Sequence, residues 1–163
     1  MKTLLSGSGP ISILSLVFRF CLAMVFFQAS LDKISAPAEF AIAVENYRLV
    51  PAMFSNTIAI LLPWIEFWCG IALLAGIWQR GSAVLLSIMC IIFIGAMLSV
   101  MIRGLEIDCG CFGAGSEVNA YRIVEDIVLL LMSVYLAKHP SDKFTLPTLF
   151  IKKNKKPMQM PGA

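Results

Sequence analysis

The chain has 163 residues, of which 59% are hydrophobic and only 14% charged, and its mean hydropathy is +0.85. Soluble domains carry about a quarter charged residues, so this composition excludes an ordinary soluble domain and favours helices in a lipid bilayer, at roughly 20 apolar residues per span. The formal net charge of +3 is small. Because the sequence also contains no glycine-rich phosphate loop and no nucleic-acid motif, we expect no nucleic-acid partner.

The first apolar run predicts a transmembrane helix over residues 11–29, interrupted only by Arg19 and Gln28. A cleaved signal peptide is the rival interpretation. The apolar core of a signal peptide is about 7–15 residues long and has no internal arginine. We therefore expect this segment to be retained as the first span.

The mixed stretch over residues 31–56 predicts a short helix between the first and second spans. Pro37 is suited to the first turn of a helix. Phe40, Val44 and Tyr47 recur at helical spacing and form one apolar side. This pattern is typical of an amphipathic helix lying in the membrane interface. The alternative is a loop that packs on the helical bundle.

Three further spans are predicted over residues 57–78, 83–102 and 121–137. The expected fold class is therefore an all-α integral membrane protein, a four-transmembrane-helix bundle with a short interfacial helix. The bundle would occupy residues 1–138, and a basic tail would follow over 139–163.

The distribution of lysine and arginine in short loops predicts the orientation of the bundle. With four spans, both termini share a side with the connection at residues 79–81, and this side is the more basic. Its basic residues are Lys2, Arg80, Lys138, Lys143, Lys152, Lys153, Lys155 and Lys156. The opposite side has Lys33, Arg48, Arg103 and Arg122, with most of the acidic residues. We expect cytoplasmic termini in a bacterial inner membrane, with residues 103–120 facing the periplasm.

The segment at residues 103–120, here called the cysteine segment, contains the sequence Asp108-Cys109-Gly110-Cys111-Phe112-Gly113. A disulfide between Cys109 and Cys111 would close a tight, strained ring, which the flexible Gly110 makes possible. Strained and exposed disulfides are the ones that exchange readily. The motif therefore predicts a redox-active dithiol at the membrane surface, with Cys109 and Cys111 as the catalytic residues. Asp108, Gly110, Phe112 and Gly113 would support them.

Other uses of this cysteine pair stay open. A zinc site needs about four ligands, but the one histidine, His139, is predicted at the opposite membrane face. We therefore expect no zinc site. Two thiolates suit Cu(I), and a purely structural disulfide is the other alternative. Asp108 disfavours the Cys109 thiolate, whereas Arg103 or Arg122 would favour it, and the sequence does not decide between them.

Two pairs of charged residues are the next signal. Arg19 and Glu66 each lie near the centre of an apolar run, where an unpaired charge costs several kcal/mol. Their opposite signs and similar depth predict a buried ion pair or, as the functional alternative, a polar pocket that binds a quinone head group or relays protons. Arg122 and Asp126 share one helical face beneath the cysteine segment. We expect them to clamp that segment or to tune its cysteines.

The remaining cysteines, Cys21, Cys69 and Cys90, lie at similar predicted depths in three different spans. An internal thiol relay is one interpretation of this arrangement. The other is that each is a small apolar side chain in a helix, which is the commoner role of an isolated buried cysteine.

Several of these features together resemble a known family. They are Arg19, Lys33, the segment over residues 46–51, Pro63 with Glu66, and above all the motif over residues 108–113. The pattern is similar to the methylamine utilisation protein MauE family, which belongs with the DoxX-like membrane proteins, and the likeness covers roughly residues 19–137.

The resemblance implies a four-helix membrane bundle that helps to mature periplasmic disulfide-containing proteins. In methylamine users that protein is the small subunit of methylamine dehydrogenase, and the partner is thioredoxin-like. The expected function is thus a membrane thiol–disulfide redox protein, in which Cys109 and Cys111 exchange with a thioredoxin-like partner and a quinone is a candidate electron carrier. A non-catalytic membrane scaffold is the alternative from a different functional class.

Overall fold

A computed structural model of the chain describes residues 10–104 and 120–140. These residues form five α-helices and contain no strand, so the predicted all-α class is confirmed for the part of the chain that the structure describes. The helices are α1 (Pro10–Ser35), α2 (Pro37–Asn46), α3 (Ala52–Ala75), α4 (Gln79–Ile102) and α5 (Ala120–Lys138).

Three of the described helices are long and apolar enough to cross a membrane: Ile13–Ser35 within α1, and the whole of α3 and α4. Helix α5 has 19 residues and carries Arg122, Glu125 and Asp126 near its start, so it is less apolar than the other three. The surfaces of the long helices expose large apolar side chains, such as Trp68 at 62% and Ile92 at 60%. Soluble proteins rarely expose so much apolar surface to water. The chain therefore has the character of a membrane protein.

Helix α1 is longer than the sequence predicted. The apolar run suggested an end at residue 29, but the helix continues to Ser35 and includes Asp32 and Lys33. Lys33 stays inside the bundle because an acidic side chain of α3 compensates its charge, as described below. The apolar pattern ended the predicted span before these charged residues, because the sequence pattern does not show that Lys33 has an acidic partner on another helix.

Helix α2 forms where the sequence predicted a short helix, with Pro37 in its first turn. Its buried residues, Phe40, Ala41 and Ala43, pack against Ala59 of α3. The apolar side of α2 is therefore used in packing on the bundle. Its placement in the membrane interface stays a prediction.

Helices α1 and α3 pack tightly against each other, and Gly70 lies where their backbones approach. A Cβ atom at Gly70 would lie 3.3 Å from the carbonyl oxygen of Ala23 and 3.5 Å from the amide nitrogen of Phe27. The rings of Phe27 and Phe67 stack with centroids 5.3 Å apart. Small residues permit such close approach of membrane helices, so Gly70 lets the antiparallel helices α1 and α3 pack with their backbones close together.

Helix α5 packs along α4 and also contacts α1. Ser87 of α4 donates a hydrogen bond of 2.8 Å to the hydroxyl oxygen of Ser133 on α5. Serine side chains contribute interhelical hydrogen bonds of this kind in membrane bundles. On the α1 side, the rings of Phe18 and Tyr135 meet edge to face with centroids 5.4 Å apart. These contacts give α5 a defined position beside the three long helices.

The contact at Gly70 generates a test. We expect Gly70→Ala to destabilise the bundle by about 1–2 kcal/mol, because the added methyl group meets backbone atoms of α1 and must push the two helices apart. Gly95→Ala is the matched control, since Gly95 is also helical and a Cβ atom there would meet nothing within 4 Å. Unfolding titrations in detergent micelles measure both. Equal stability of the two variants would contradict the packing role given to Gly70.

Candidate functional site

The predicted site residues divide into two groups. The cysteine motif over residues 108–113, which contains Cys109 and Cys111, lies outside the described residues. The other four predicted residues, Arg19, Glu66, Arg122 and Asp126, are all described.

Glu66 is bound by a lysine of the first helix. The Nζ atom of Lys33 donates to Oε1 of Glu66 at 3.0 Å and to Oε2 at 2.8 Å. The two side chains are 3% and 1% exposed, so the pair is fully enclosed. The sequence analysis predicted Arg19 as the partner of Glu66. In the structure the cation that binds both carboxylate oxygens is Lys33.

The register of α1 on α3 explains this correction. Phe27 lies opposite Phe67 and Gly70, so Glu66 is level with the turn of α1 just before Lys33. Helical side chains lean toward the N-terminus of their own helix. In an antiparallel pair, the long side chains of Lys33 and Glu66 therefore approach each other. Arg19 precedes Lys33 by 14 residues, or about 21 Å along the axis of α1 at 1.5 Å per residue, and it is also buried.

Aromatic rings surround the ammonium group of Lys33. Its Nζ atom lies 5.5 Å from the ring centroid of Phe40 in α2 and 5.4 Å from that of Phe93 in α4. A cation at this distance from an aromatic ring is attracted by the ring's quadrupole, more strongly when water is excluded. Side chains from α1, α2, α3 and α4 thus meet at one ammonium group.

Helix α5 contributes Asp126 to the same place. A cavity of about 20 Å³, enough for one water molecule, is lined by eight residues: Val25, Phe26, Ala29, Lys33, Glu66, Phe93, Asp126 and Leu129. Asp126 is 7% exposed. We call Lys33, Glu66 and Asp126 the polar centre. Sequence reasoning assigned Glu66 and Asp126 to separate sites, and the fold brings them to one cavity.

Lys33 is the residue of the polar centre that sequence reasoning missed. It was counted as a loop residue on the outward side, although the family resemblance already included it. A signal was present in the spacing, because Leu22, Phe26, Ala29 and Lys33 recur three or four residues apart, as on the inward stripe of a helix. All four are buried. Because a buried lysine needs an opposite charge nearby, a lysine on such a stripe predicts an acidic partner on a neighbouring helix.

Arg122 and Asp126 were predicted to act together beneath the cysteine segment. The structure places Arg122 beside Glu125, with Nη1 donating to Oε2 at 2.9 Å in a partly exposed pair. Asp126 is buried and lines the polar centre. The role of these residues as a clamp on the cysteine segment stays a prediction.

The described ends of the helices next to the cysteine segment are tied to the corner between α2 and α3. Arg103, which follows α4, donates from Nη1 to the carbonyl oxygen of Tyr47 at 3.0 Å. The side chain of Tyr47 is buried against Met97 and Val100 of α4, and Ile123 of α5 packs against the same cluster. The point from which the cysteine segment leaves α4 is therefore anchored to three helices.

The three cysteines within the helices occupy different environments. Cys69 and Cys90 are buried in one apolar cluster with residues such as Leu73 and Leu86, whereas Cys21 is exposed. Cys90 lies 12 residues before the end of α4, or about 18 Å along the helix axis. Burial among leucines is what the small-apolar interpretation predicts for Cys69 and Cys90.

The family model described as methylamine utilisation protein MauE matches residues 11–139. The chain is 32% identical over 122 residues to the methylamine utilization protein MauE of Methylophilus methylotrophus, covering 72% of this chain and 64% of that relative. It is 30% identical to the protein of the same name in Paracoccus denitrificans, covering 73% and 66%. The matches span just under two thirds of the relatives' own lengths, and no solved structure matches.

The Lys33–Glu66 pair generates a stability prediction. We expect Lys33→Met or Glu66→Gln to destabilise the bundle by about 3–5 kcal/mol, because each leaves a buried partner without its counter-charge. The double variant Lys33→Met/Glu66→Gln should recover much of this loss. Unfolding of all variants in detergent micelles measures the coupling between the two residues.

Arg122→Gln is the matched control for this experiment. Its ion pair with Glu125 is partly exposed, and pairs of this kind are worth about 0.3–0.5 kcal/mol. If the losses of the two single variants simply added in the double variant, the two side chains would not be coupled as the structure indicates.

Proposed function

The chain belongs to the MauE family, and from this premise we propose that it is a membrane thiol–disulfide redox protein. Its cysteine segment would exchange disulfides with a thioredoxin-like partner outside the membrane. The observation that carries the proposal is the Cys109-Gly110-Cys111 sequence, placed in the chain between α4 and α5. The anchored start of the segment at Arg103 and Tyr47 supports it, because a reactive pair needs a firmly held base.

The proposed reaction is a thiol–disulfide exchange in which one disulfide forms and one breaks. When Cys109 and Cys111 are joined, a partner thiolate attacks the sulfur of Cys111, and Cys109 leaves as a thiolate. The second thiol of the partner then loses its proton and attacks the mixed disulfide. The partner ends oxidised, and both cysteines of the segment end reduced. The reverse sequence of steps reduces the partner.

We assign Cys111 as the exchanging residue and Cys109 as the resolving one. Cys111 is one residue further from Asp108, so that carboxylate disfavours its thiolate less. Phe112 follows it directly and offers an apolar contact for an incoming protein. Gly110 and Gly113 would give the backbone the freedom that a ring between such close cysteines requires.

A quinone near Arg19 and Glu66 is not part of the proposed reaction. The carboxylate of Glu66 is occupied by Lys33, and the adjoining cavity of about 20 Å³ has room for a water molecule only. Arg19 lies more than two turns away along α1. The proposal therefore contains no step through a quinone at Arg19 and Glu66.

The placement of the protein is part of the proposal. We infer four spans, with α5 as the fourth, because its outward side chains Val124, Val128 and Leu131 are apolar and exposed. We also infer cytoplasmic termini in a bacterial inner membrane. Lys33 is buried in α1, so it no longer counts among the basic loop residues of the outward side. The excess of basic loop residues on the opposite side is therefore larger than the sequence analysis assumed.

The pathway is the last part of the proposal. The relatives are named for methylamine utilisation, and we propose that this chain serves the maturation of a disulfide-containing protein in that process. The match covers just under two thirds of the relatives' lengths. Substrates and partners like theirs are therefore only proposed for this chain.

The first test of the redox function uses cysteine variants in the native host. We expect Cys109→Ser to accumulate a covalent adduct with a thioredoxin-like protein, because the resolving thiol is missing and the mixed disulfide persists. Cys111→Ser should accumulate much less. Non-reducing gels detect the adduct, and reduction should abolish it. Cys21→Ser is the matched control, since this exposed cysteine has no part in the exchange.

The other outcomes of this test decide between the alternatives. The reverse pattern would exchange the roles of the two cysteines and keep the reaction. Absence of any adduct, together with full function of the Cys109→Ser/Cys111→Ser variant, would favour a membrane scaffold. Stoichiometric Cu(I) binding that needs both cysteines would favour metal handling.

The second test concerns orientation. We expect a membrane-impermeant thiol reagent to label reduced Cys109 and Cys111 from the periplasmic side of intact cells. A reporter fused after residue 163 should be active only in the cytoplasm, because the basic tail stays inside. Labelling of Cys109 from the cytoplasmic side alone would contradict the proposed orientation.

A further inference from the structure

The three tryptophans of the chain line one groove on the outer surface of the bundle. Trp64 and Trp68 lie on α3, and Trp78 directly precedes α4. The groove has a volume of about 450 Å³, and its other lining side chains are mostly aliphatic, such as Leu61 and Leu85. Ligand pockets in proteins measure about 300–1,000 Å³, so the groove is large enough for a ligand with an apolar chain.

The groove runs along helix α3. Its lining residues on that helix extend from Leu61 to Ala72, which corresponds to about 16 Å along the helix axis. The groove therefore leads from the end of a membrane-spanning helix toward its middle. Its length matches one leaflet, because the hydrocarbon core of a bilayer is about 30 Å thick. The acyl chain of a phospholipid has the same direction and reach.

Ring contacts hold the two tryptophans of α3 in place. Phe67 meets both Trp64 and Trp68 edge to face, with ring centroids 5.8 Å apart in each case. Phe67 in turn stacks on Phe27 of α1. Side chains that are already held in position lose little conformational freedom when a ligand binds. The walls of the groove are therefore preorganised.

Trp78 joins this groove to a second cavity at the end of the bundle. The second cavity has a volume of about 290 Å³ and is lined by Gly76, Trp78, Gln79, Arg80 and Pro140. Trp78 has a φ of 51°, in the left-handed region that bulky side chains rarely adopt. A Cβ atom at Gly81 would lie 2.7 Å from Cε2 of its indole, so the ring packs directly on the backbone of α4. Strained residues of this kind cluster at ligand-binding positions.

Arg80 gives the second cavity a positive charge. Its side chain is exposed and forms no ion pair with any residue that the structure describes. None of the described residues that line the groove or the second cavity is acidic. Basic pockets between membrane helices bind the head groups of anionic lipids. A cation at one end and an apolar groove at the other are thus complementary to an anionic phospholipid.

We propose that the groove and the second cavity form one binding site for an anionic phospholipid. Its phosphate group is held at Arg80, and one acyl chain lies in the groove along Trp68. In the orientation proposed above, this lipid belongs to the cytoplasmic leaflet. The site lies at the opposite end of α4 from the cysteine segment, so it does not depend on the proposed thiol exchange.

Quenching of tryptophan fluorescence tests the site in the full-length protein. All tryptophans of the chain line the groove, and bromine atoms on an acyl chain quench an indole only at close range. The protein is reconstituted in phosphatidylcholine vesicles with increasing fractions of acyl-brominated phosphatidylglycerol or, in a parallel series, of acyl-brominated phosphatidylcholine. We expect half-maximal quenching by the phosphatidylglycerol at an about fivefold lower fraction, the preference that one basic residue near an anionic head group confers.

Substitutions of Arg80 assign the preference to this site. Arg80→Gln should bring the two series to the same half-maximal fraction, whereas Arg80→Lys should retain most of the preference because it keeps the charge. Arg48→Gln is the matched control, since Arg48 is also an exposed arginine but precedes α3 instead of following it. The full preference should persist in this variant.

Four results would overturn the proposal. Equal quenching by the two lipids in the wild-type protein, which needs no substitution, would show an ordinary lipid-facing surface. Weak quenching by both would show that a second copy or the residues beyond 140 fill the groove. A preference that survives Arg80→Gln, or one that is lost in Arg48→Gln, would show that the head group is not held at Arg80.

Discussion

The ion pair between Lys33 and Glu66 is the interaction around which the bundle is arranged. A lysine and a glutamate within apolar helices are each costly in a bilayer, and the cost is removed only when the two meet with good geometry. That requirement fixes the register of α1 on α3. It also explains why α1 continues past its apolar run to Ser35, and why Phe40 and Phe93 close around the ammonium group.

The other contacts of the bundle are adapted to this register. Gly70 lets α1 approach α3 until a Cβ atom would be only 3.3 Å from a carbonyl oxygen, and the Phe27–Phe67 stack lies directly beside it. Helix α5 is positioned by the Ser87–Ser133 hydrogen bond so that Asp126 lines the same cavity as Lys33 and Glu66. The polar centre therefore links residues from all five helices.

Two chemically different regions result. The polar centre is buried, so its charges interact more strongly than they would in water. The cysteine segment, by contrast, follows a corner at which Arg103 is bonded to Tyr47.

Composition and periodicity alone determined much of this protein. They predicted an all-helical membrane chain and the positions of three long helices and of α2. The motif at residues 108–113 added a resemblance to the family that the comparisons then showed. These features follow from hydrophobic runs and short motifs, which can be read along the sequence without knowledge of the fold. The partner of Glu66, the end of α1 and the joining of Asp126 to Glu66 were decided by the tertiary structure alone. They depend on helix register and rotation, which arise from side chains far apart in the chain, such as Gly70 against Ala23, and no local pattern contains that information.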